Sequence, residues 1–291
     1  MEERTSMPAL PANEALARRL DAVAGDYLLA RYSGPGNPMG TRTLRAGSLL
    51  ATKVPFAPAQ PLMNTARGLE QADDVDAVMR FYFGALRADQ DAACWVETAP
   101  YTPGAVTDAL LARGFRLERQ AATLYAPMSA VSQSASDVGA SIGGTGALQI
   151  SDVAATELPT FLDTLNVGFG VPERALPGIR TNQSFWSDVA AWHLFLARID
   201  GKPIGAAVLS IHDDVELGRV GYLAAASTLV PMRGRGGQSA LIAARVTRAR
   251  ALGCTILCGQ AAWGTTSQAN MQRAGLQICH LRTVWTRTAR A

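Results

Sequence analysis

Residues Val220–Gly253 read VGYLAAASTLVPMRGRGGQSALIAARVTRARALG, and their order decides the fold. The apolar run Val220–Val230 predicts a strand. Arg233-Gly234-Arg235-Gly236-Gly237-Gln238 is turn chemistry. Leu241, Ile242, Val246, Ala249 and Leu252 then recur at helical spacing, and Gly253 stands where a helix stops. Strand, Gly-rich turn and helix together make a phosphate-capturing arrangement. The first N–H groups of a helix lack internal partners, and the helix dipole favours an anion beside them. Glycines let the backbone approach a ligand with no Cβ in the way. Arg233 and Arg235 add guanidinium forks suited to phosphate.

The kind of phosphate site can be narrowed. The loop has no Gly-Lys-Ser/Thr, which excludes a Walker loop. From Gly234 it reads G-x-G and then puts Ser239 where a dinucleotide fingerprint needs its third glycine. The segment RGRGGQSALI resembles the pyrophosphate loop of the GNAT family of acyl-CoA-dependent N-acyltransferases, Arg/Gln-x-x-Gly-x-Gly/Ala. Arg233 and Gly236 match that motif; Gln238 departs from it at the last position, where a backbone N–H is still offered. The resemblance implies that Arg233, Gly234, Arg235, Gly236, Gly237, Gln238 and Ser239 hold the pyrophosphate of acetyl-CoA as co-substrate. The plain alternative is an ordinary Gly-rich turn before a helix.

Working outward, the second half repeats the family's order of elements over about 147–288. A short strand (ALQI) is followed by a helix through Leu165, capped by Asp152, and a second helix over 182–190. Three strands follow: His193–Ile199, Ile204–His212 and Val215–Val230, the first two joined by the hairpin signal Asp200-Gly201. After the Arg/Gly loop and its helix come a strand at Thr255–Cys258, a helix at Thr266–Arg273 and a closing strand at Leu276–Thr286. SQANMQRAGL resembles the family's last helix, with Gly275-Leu276 in place of its Gly-Phe. The fold class expected is α/β (α+β): a GNAT fold with a mixed central sheet flanked by helices, in two tandem GNAT-like domains.

The first half carries the fainter copy. CWVETAPYTPGAVTDALLARGFRLERQAATLYAPM parallels CTILCGQAAWGTTSQANMQRAGLQICHLRTVWTRT. Here Asn13–Val23 and Val75–Leu86 read as helices, the latter capped by Asp73 or Asp74. Asp26–Tyr32, Arg42–Val54 and Ala92–Thr98 read as strands. Gly104–Arg113 reads as a helix and Phe115–Ala126 as a strand. NTARGLEQADD replaces the Arg/Gly loop, so this copy is expected to bind no CoA. Residues 129–146, SAVSQSASDVGASIGGTG, have linker composition. The domains expected are therefore 10–128, a degenerate copy, and 147–291, the acyl-CoA-binding catalytic domain. An unrelated α/β companion is the alternative for the first half.

Composition sets the bounds. The chain has 291 residues, 48% hydrophobic, with a net charge of +3, too small to argue for nucleic acid or membrane. Only Lys53 and Lys202 are lysines. No run of about 18 apolar residues occurs. Cys94, Cys254, Cys258 and Cys279 have no zinc spacing and read as buried thiols of a reducing compartment, so a cytoplasmic protein without a metal is expected. The partner expected is a small-molecule or peptide amine; an oligomer is compatible.

The reaction needs a neutral amine, a group to take its proton, and a donor for the thioester oxyanion. By resemblance, Ala226, Ser227 and Thr228 pair with the pantetheine amides, one N–H meeting the acyl carbonyl; an ordinary central strand is the alternative. Many members of the family use a Tyr four residues before the last glycine, where this chain has Met271. Many use a Glu on the fourth or fifth strand, where it offers Val220 and Gln260. The catalytic residues are therefore unassigned. Asn270 is the polar candidate near the thioester. The phenol of Tyr222 reads equally as core or catalyst. Glu216, His193, His212 and His280 read as structural or exposed, and Trp186, Trp192, Trp263 and Trp285 as core or acceptor-pocket lining. The acceptor is expected between the domains, beside residues 166–182. The readings in competition are an N-acetyltransferase, a non-catalytic GNAT-like CoA-binding module, and a binder of another phosphate ligand.

Overall fold

The computed structural model describes residues 12–84, 92–131 and 148–289. The first elements are α1 (Glu14–Ala30), β1 (Arg42–Ala46), β2 (Leu49–Lys53), β3 (Thr65–Arg67), α2 (Ala72–Phe83), β4 (Ala93–Thr98), α3 (Gly104–Ala112) and β5 (Arg116–Pro127). After residue 147 come β6 (Leu148–Asp152), α4 (Leu158–Gly168), α5 (Leu176–Gln183), β7 (Trp192–Ile199), β8 (Lys202–Asp214) and β9 (Gly218–Thr228). The chain then runs through α6 (Gly237–Ala251), β10 (Ile256–Ala262), α7 (Thr266–Arg273) and β11 (Gln277–Thr288).

The chain forms two compact units that interleave in sequence. One takes Met1–Ala24 and Thr123–Cys279, the other Gly25–Ala122 and His280–Ala291. The division falls within α1, β5 and β11. The sequential division read from composition is drawn differently; residues 132–146 of its 129–146 linker, and Ala147 after it, lie outside the described residues.

In the unit containing the Arg/Gly loop, the strand order is β5-β10-β9-β8-β7-β6. β6 to β9 pair antiparallel, and β10 lies parallel to β9. Ile204 and Ala206–Ser210 of β8 are all completely buried, because helices cover both faces. On one face Gly221 approaches α6 so closely that a Cβ there would sit 3.2 Å from Ala249. On the other, Ser227 meets α4, donating to the Leu165 carbonyl at 2.8 Å. Phe161, Leu162 and Leu165 bury the apolar stripe of α4, and Phe161 and Trp192 both pack against Trp186. The β7–β8 hairpin turns at Asp200 (φ 50°) and Gly201 (φ 74°), the positive φ pair that its Asp-Gly signal requires.

The other unit has the order β1-β2-β3-β4-β11-β5. β3 runs parallel to β4 and β11 antiparallel to it. Its core gathers Leu49, Val75, Val78, Tyr82, Val96, Leu110, Phe115 and Trp285. α2 and α3 pack together beside it.

Several local expectations are corrected. Asp26–Ala30 continues α1 instead of forming a strand: Leu16, Leu20, Val23, Ala24, Tyr27 and Leu28 are all buried at helical spacing. Arg42–Val54 is a hairpin, turning at Gly47 with φ 59°. The second helix of the loop-bearing unit is Leu176–Gln183, six residues earlier than read, and a 3-10 turn follows at Ser184–Asp188. Asp152 ends β6 and pairs with Arg248 instead of capping a helix. β9 begins at Gly218, because Asp214 accepts the N–H groups of Glu216 and Leu217 and closes the turn before it.

Candidate functional site

The Arg/Gly loop joins the end of β9 to the start of α6. Gly234 and Gly236 have φ of 78° and 77°, a left-handed conformation that side chains resist. Gly236 is the N-cap residue, and no side chain caps the helix. The first internal bond runs from Ala240 N–H to the Gly236 carbonyl at 3.0 Å. The N–H groups of Gly237, Gln238 and Ser239 therefore precede the helical ladder and face outward as donors. Gly237 is buried, and a Cβ there would sit 3.0 Å from Ile204, which pins the turn to the sheet. Arg233 and Arg235 are exposed; Arg233 Nε also reaches the Thr228 carbonyl at 3.4 Å. The result is an uncapped helix start with two exposed cations, an arrangement that favours an anion by dipole and by donors.

Beside it the sheet opens. The parallel ladder of β9 and β10 ends at Leu223↔Gly259, yet β9 runs on to Thr228 and β10 to Ala262. On its other side β9 stays paired with β8, through Gly205↔Thr228, Ala206↔Ser227 and Ala207↔Ala226. Between Leu223 and Ala226 β9 carries an extra residue relative to β8, a bulge that bends it away. Residues Ala224–Thr228 thus face the departed β10 with main-chain groups outside the ladder. Such a fork accepts an extended chain with amide groups as if it were a strand. The side chain of Ser227 is turned into α4, bonded to the Leu165 carbonyl, and its backbone is what this residue offers the fork. Thr228 Oγ1 is buried with no partner among the described residues.

α7 closes the end. Asn270 donates to Gln238 Oε1 at 2.8 Å, and Gln238 Nε2 donates to Ser267 at 2.8 Å. The residue that departs from the family motif therefore ties α6 to α7 with its side chain, leaving its N–H at the helix start. Met271 is buried, and Gly259 lies so near it that a Cβ would meet its sulfur at 3.3 Å. The loop, the end of β9 and Asn270, separately singled out in the sequence, come together through these contacts.

The other candidates fall elsewhere. Glu216 pairs with Arg19 in an ion cluster that includes Asp214. His193 meets Arg248 at 3.2 Å; burial and then that cation hold its pKa below the usual value. His212 shares a 2.9 Å bond with Ser210. His280 is buried in the other unit, against Tyr101. Trp186 and Trp192 are core, Trp285 is buried and donates to Thr98, and Trp263 is half exposed just past β10. Burial raises the Cys258 thiol strongly and pushes Cys254 and Cys279 up to about 11. None of these thiols is a ready thiolate near neutral pH. Among the described residues no group of three or more His, Cys, Asp or Glu could hold a metal ion. No described helix is long and apolar enough to cross a membrane.

The corresponding place in the other unit is built differently. β3, α2 and β4 repeat the strand, helix, parallel strand order. There Asp74 Oδ2 accepts the N–H of Glu70 at 2.8 Å and of Gln71 at 3.1 Å, so a carboxylate of the chain itself occupies the helix start. The β3–β4 ladder stays closed to the last residue of β3, Arg67↔Glu97. Glu97 is clamped by Arg67 at 2.7 Å and by Arg282.

Sequence reasoning missed the fork and the bulge, since a strand's departure from its neighbour leaves no residue signature beyond the run Ala224–Ala226. It also missed a polar file from Tyr222 to Asp21, whose members are far apart in the chain.

Residues 159–276 match the sequence model of the acetyltransferase (GNAT) family. No curated protein matches the sequence significantly. Among solved structures, a GCN5-related N-acetyltransferase from Kribbella flavida is similar with a TM-score of 0.60 at 16% identity, over 93% of this chain and 95% of that one. One from Sphaerobacter thermophilus gives 0.54 at 13% identity, over 96% and 92%. A tandem GNAT protein from the clavulanic acid biosynthesis pathway gives 0.57 at 13% identity, over 97% of each chain. These likenesses establish the fold: mixed α/β, of the GNAT type, with a tandem GNAT protein among the similar structures.

Proposed function

We propose, from the match of residues 159–276 to the GNAT acetyltransferase model, that this chain transfers an acyl group, most simply acetyl, from its CoA thioester to an amine by direct attack. The observation that carries the reading is the pairing of two features: an uncapped helix start and, beside it, a parallel strand pair that separates after Leu223↔Gly259. A carrier with a diphosphate at one end and amides along its arm matches both. Arg233 to Ser239 would hold the diphosphate, Ala226, Ser227 and Thr228 would pair with the arm through their main chain, and Asn270 would keep Gln238 aligned. The thioester supplies an activated acyl carbon. Holding the amine against that carbon provides much of the acceleration. A main-chain N–H at the end of β9 is the donor for the oxyanion. The raised thiols support direct transfer over an acyl-cysteine route. In the other unit, Asp74 and the clamped Glu97 support the view that no carrier binds there.

A second reading, a CoA-binding module without turnover, is favoured by one observation. Met271, at the place where the resemblance called for a tyrosine, is buried and has no proton to give. Calorimetry with acetyl-CoA, followed by free-thiol release with a panel of amines, decides between them. Binding with release upholds the transferase. Binding without release for any amine supports the module. Binding of another nucleotide but no CoA would overturn both.

A further inference from the structure

A hydrogen-bonded file lies at the base of the fork, wholly within the loop-bearing unit. Tyr222 Oη on β9 donates to Gln260 Oε1 on β10 at 3.4 Å. Gln260 Nε2 donates to Thr123 Oγ1 on β5 at 3.4 Å. Thr123 Oγ1 donates to Asp21 Oδ1 on α1 at 3.4 Å. These are long contacts, of the kind that tighten when a ligand arrives.

The file has a polarity that its last member dictates. An ionised carboxylate only accepts. The single proton of Thr123 goes to Asp21, so its oxygen accepts from Gln260. The amide must then turn its N–H groups to Thr123 and its carbonyl to Tyr222. The single phenolic proton goes to that carbonyl, so Tyr222 Oη meets any additional partner as an acceptor. Thr123 is almost wholly buried, which protects the arrangement from water. Asp21 faces the sheet closely enough that its charge, after burial, helps raise the Cys258 and Cys279 thiols.

Tyr222 is buried close to where the β9–β10 pair separates. Tyr222 pairs with Cys258, one step before the ladder ends, and Gln260 is the first residue of β10 past that end. Gly221 and Gly259 face α6 and α7, so Tyr222 and Gln260, by strand alternation, face the side that carries α4. His212 holds the Tyr222 ring edge-on, with centroids 6.5 Å apart.

Building on the acyltransferase reading, we propose that Tyr222 is the positioning residue for the acceptor nitrogen and that Asp21 sets its accepting polarity through Thr123 and Gln260. A phenol oxygen confined to accepting, with a carboxylate at the far end of its file, favours a cation that carries hydrogen.

The test uses the full chain with 13Cζ-labelled tyrosine and CoA present, the Tyr222 signal being assigned with Tyr222→Phe. n-Butylammonium should shift that signal saturably. Tetramethylammonium, equal in charge but without N–H, should not. Asp21→Asn and Thr123→Val should each weaken the butylammonium response at least tenfold, while Thr123→Ser retains it. A Tyr222 signal indifferent to butylammonium, or an Asp21→Asn variant that responds as the parent does, overturns the proposal. CoA binding is measured by calorimetry on the same samples. Intact CoA binding with a silent Tyr222 sinks the positioning role alone, whereas absent CoA binding removes the acyltransferase reading beneath it.

Discussion

Two glycines show how one Cβ decides the site. Gly236 sits at φ 77° on the helix start, beside the outward N–H groups. Gly236→Asp would impose left-handed strain and place a carboxylate against any diphosphate, so acetyl-CoA affinity should fall at least a hundredfold by calorimetry. Normal affinity in that variant would show the loop assignment to be mistaken. Gly168 ends α4 against β9, and an added Cβ would lie 2.3 Å from Ser227 Oγ and 2.7 Å from its Cβ. Helix propensity alone favours Gly168→Ala by about 1 kcal/mol. Overpacking costs about 1–3 kcal/mol, and it wins here because the obstructing atoms are held by the sheet. Urea unfolding should therefore show a loss of stability; a gain would mean that α4 can move off β9. At this scale the Arg/Gly loop was legible because its chemistry lies in consecutive residues. Tyr222 reads equally as core or catalyst from sequence because Asp21 and Thr123 are remote in the chain.

At the level of elements, α1 is tied to the β8–β9 turn by Arg19, which meets both Asp214 and Glu216. Burial acts to raise the Asp214 carboxyl, but the N–H groups of Leu217 and Glu216, together with Arg19, outweigh it and hold the pKa below the usual carboxylate value. A depressed folded pKa stabilises above the unfolded value, near 3.9, and that contribution is lost as pH falls through the folded pKa. Asp214→Asn should thus lower the urea midpoint at pH 7 and flatten its decline below about pH 5. A variant whose profile parallels the parent's would refute the linkage. Elements with a strong period and a clear stop, such as α6 with Gly253 and the Asp200-Gly201 hairpin, were readable from sequence. Asp26–Tyr32 reads as a strand because Tyr27-Leu28-Leu29 has strand composition, while the spacing that makes Asp26–Ala30 helical starts ten residues earlier at Leu16. The opening between β9 and β10 was hidden because it is a relation between two strands, set by a bulge, rather than a property of either.

For the whole molecule, the order of elements predicted the GNAT architecture, but the compact units do not follow the halves of the sequence. His280–Ala291 belongs with Gly25–Ala122, where Thr283–Thr288 pairs with Ala93–Thr98 and Trp285 donates to Thr98 at 2.9 Å. Ending the chain at Cys279 should therefore leave Gly25–Ala122 open to limited proteolysis, although the deletion is remote from it in sequence. Resistance equal to the full-length protein would contradict the unit assignment. A composition-based reading could not find this, because pairing between a terminal strand and one nearly two hundred residues earlier has no local mark.

The same interleaving orders events during synthesis. Chains generally acquire structure from the N-terminal end as they emerge from the ribosome. Here the unit built largely from the opening residues waits for the final strand, whereas the loop-bearing unit already has all its segments once Cys279 has emerged. The unit that holds Gly25–Ala122 is thus completed after the loop-bearing one, and its β4 edge stays unpaired until Thr283–Thr288 arrives.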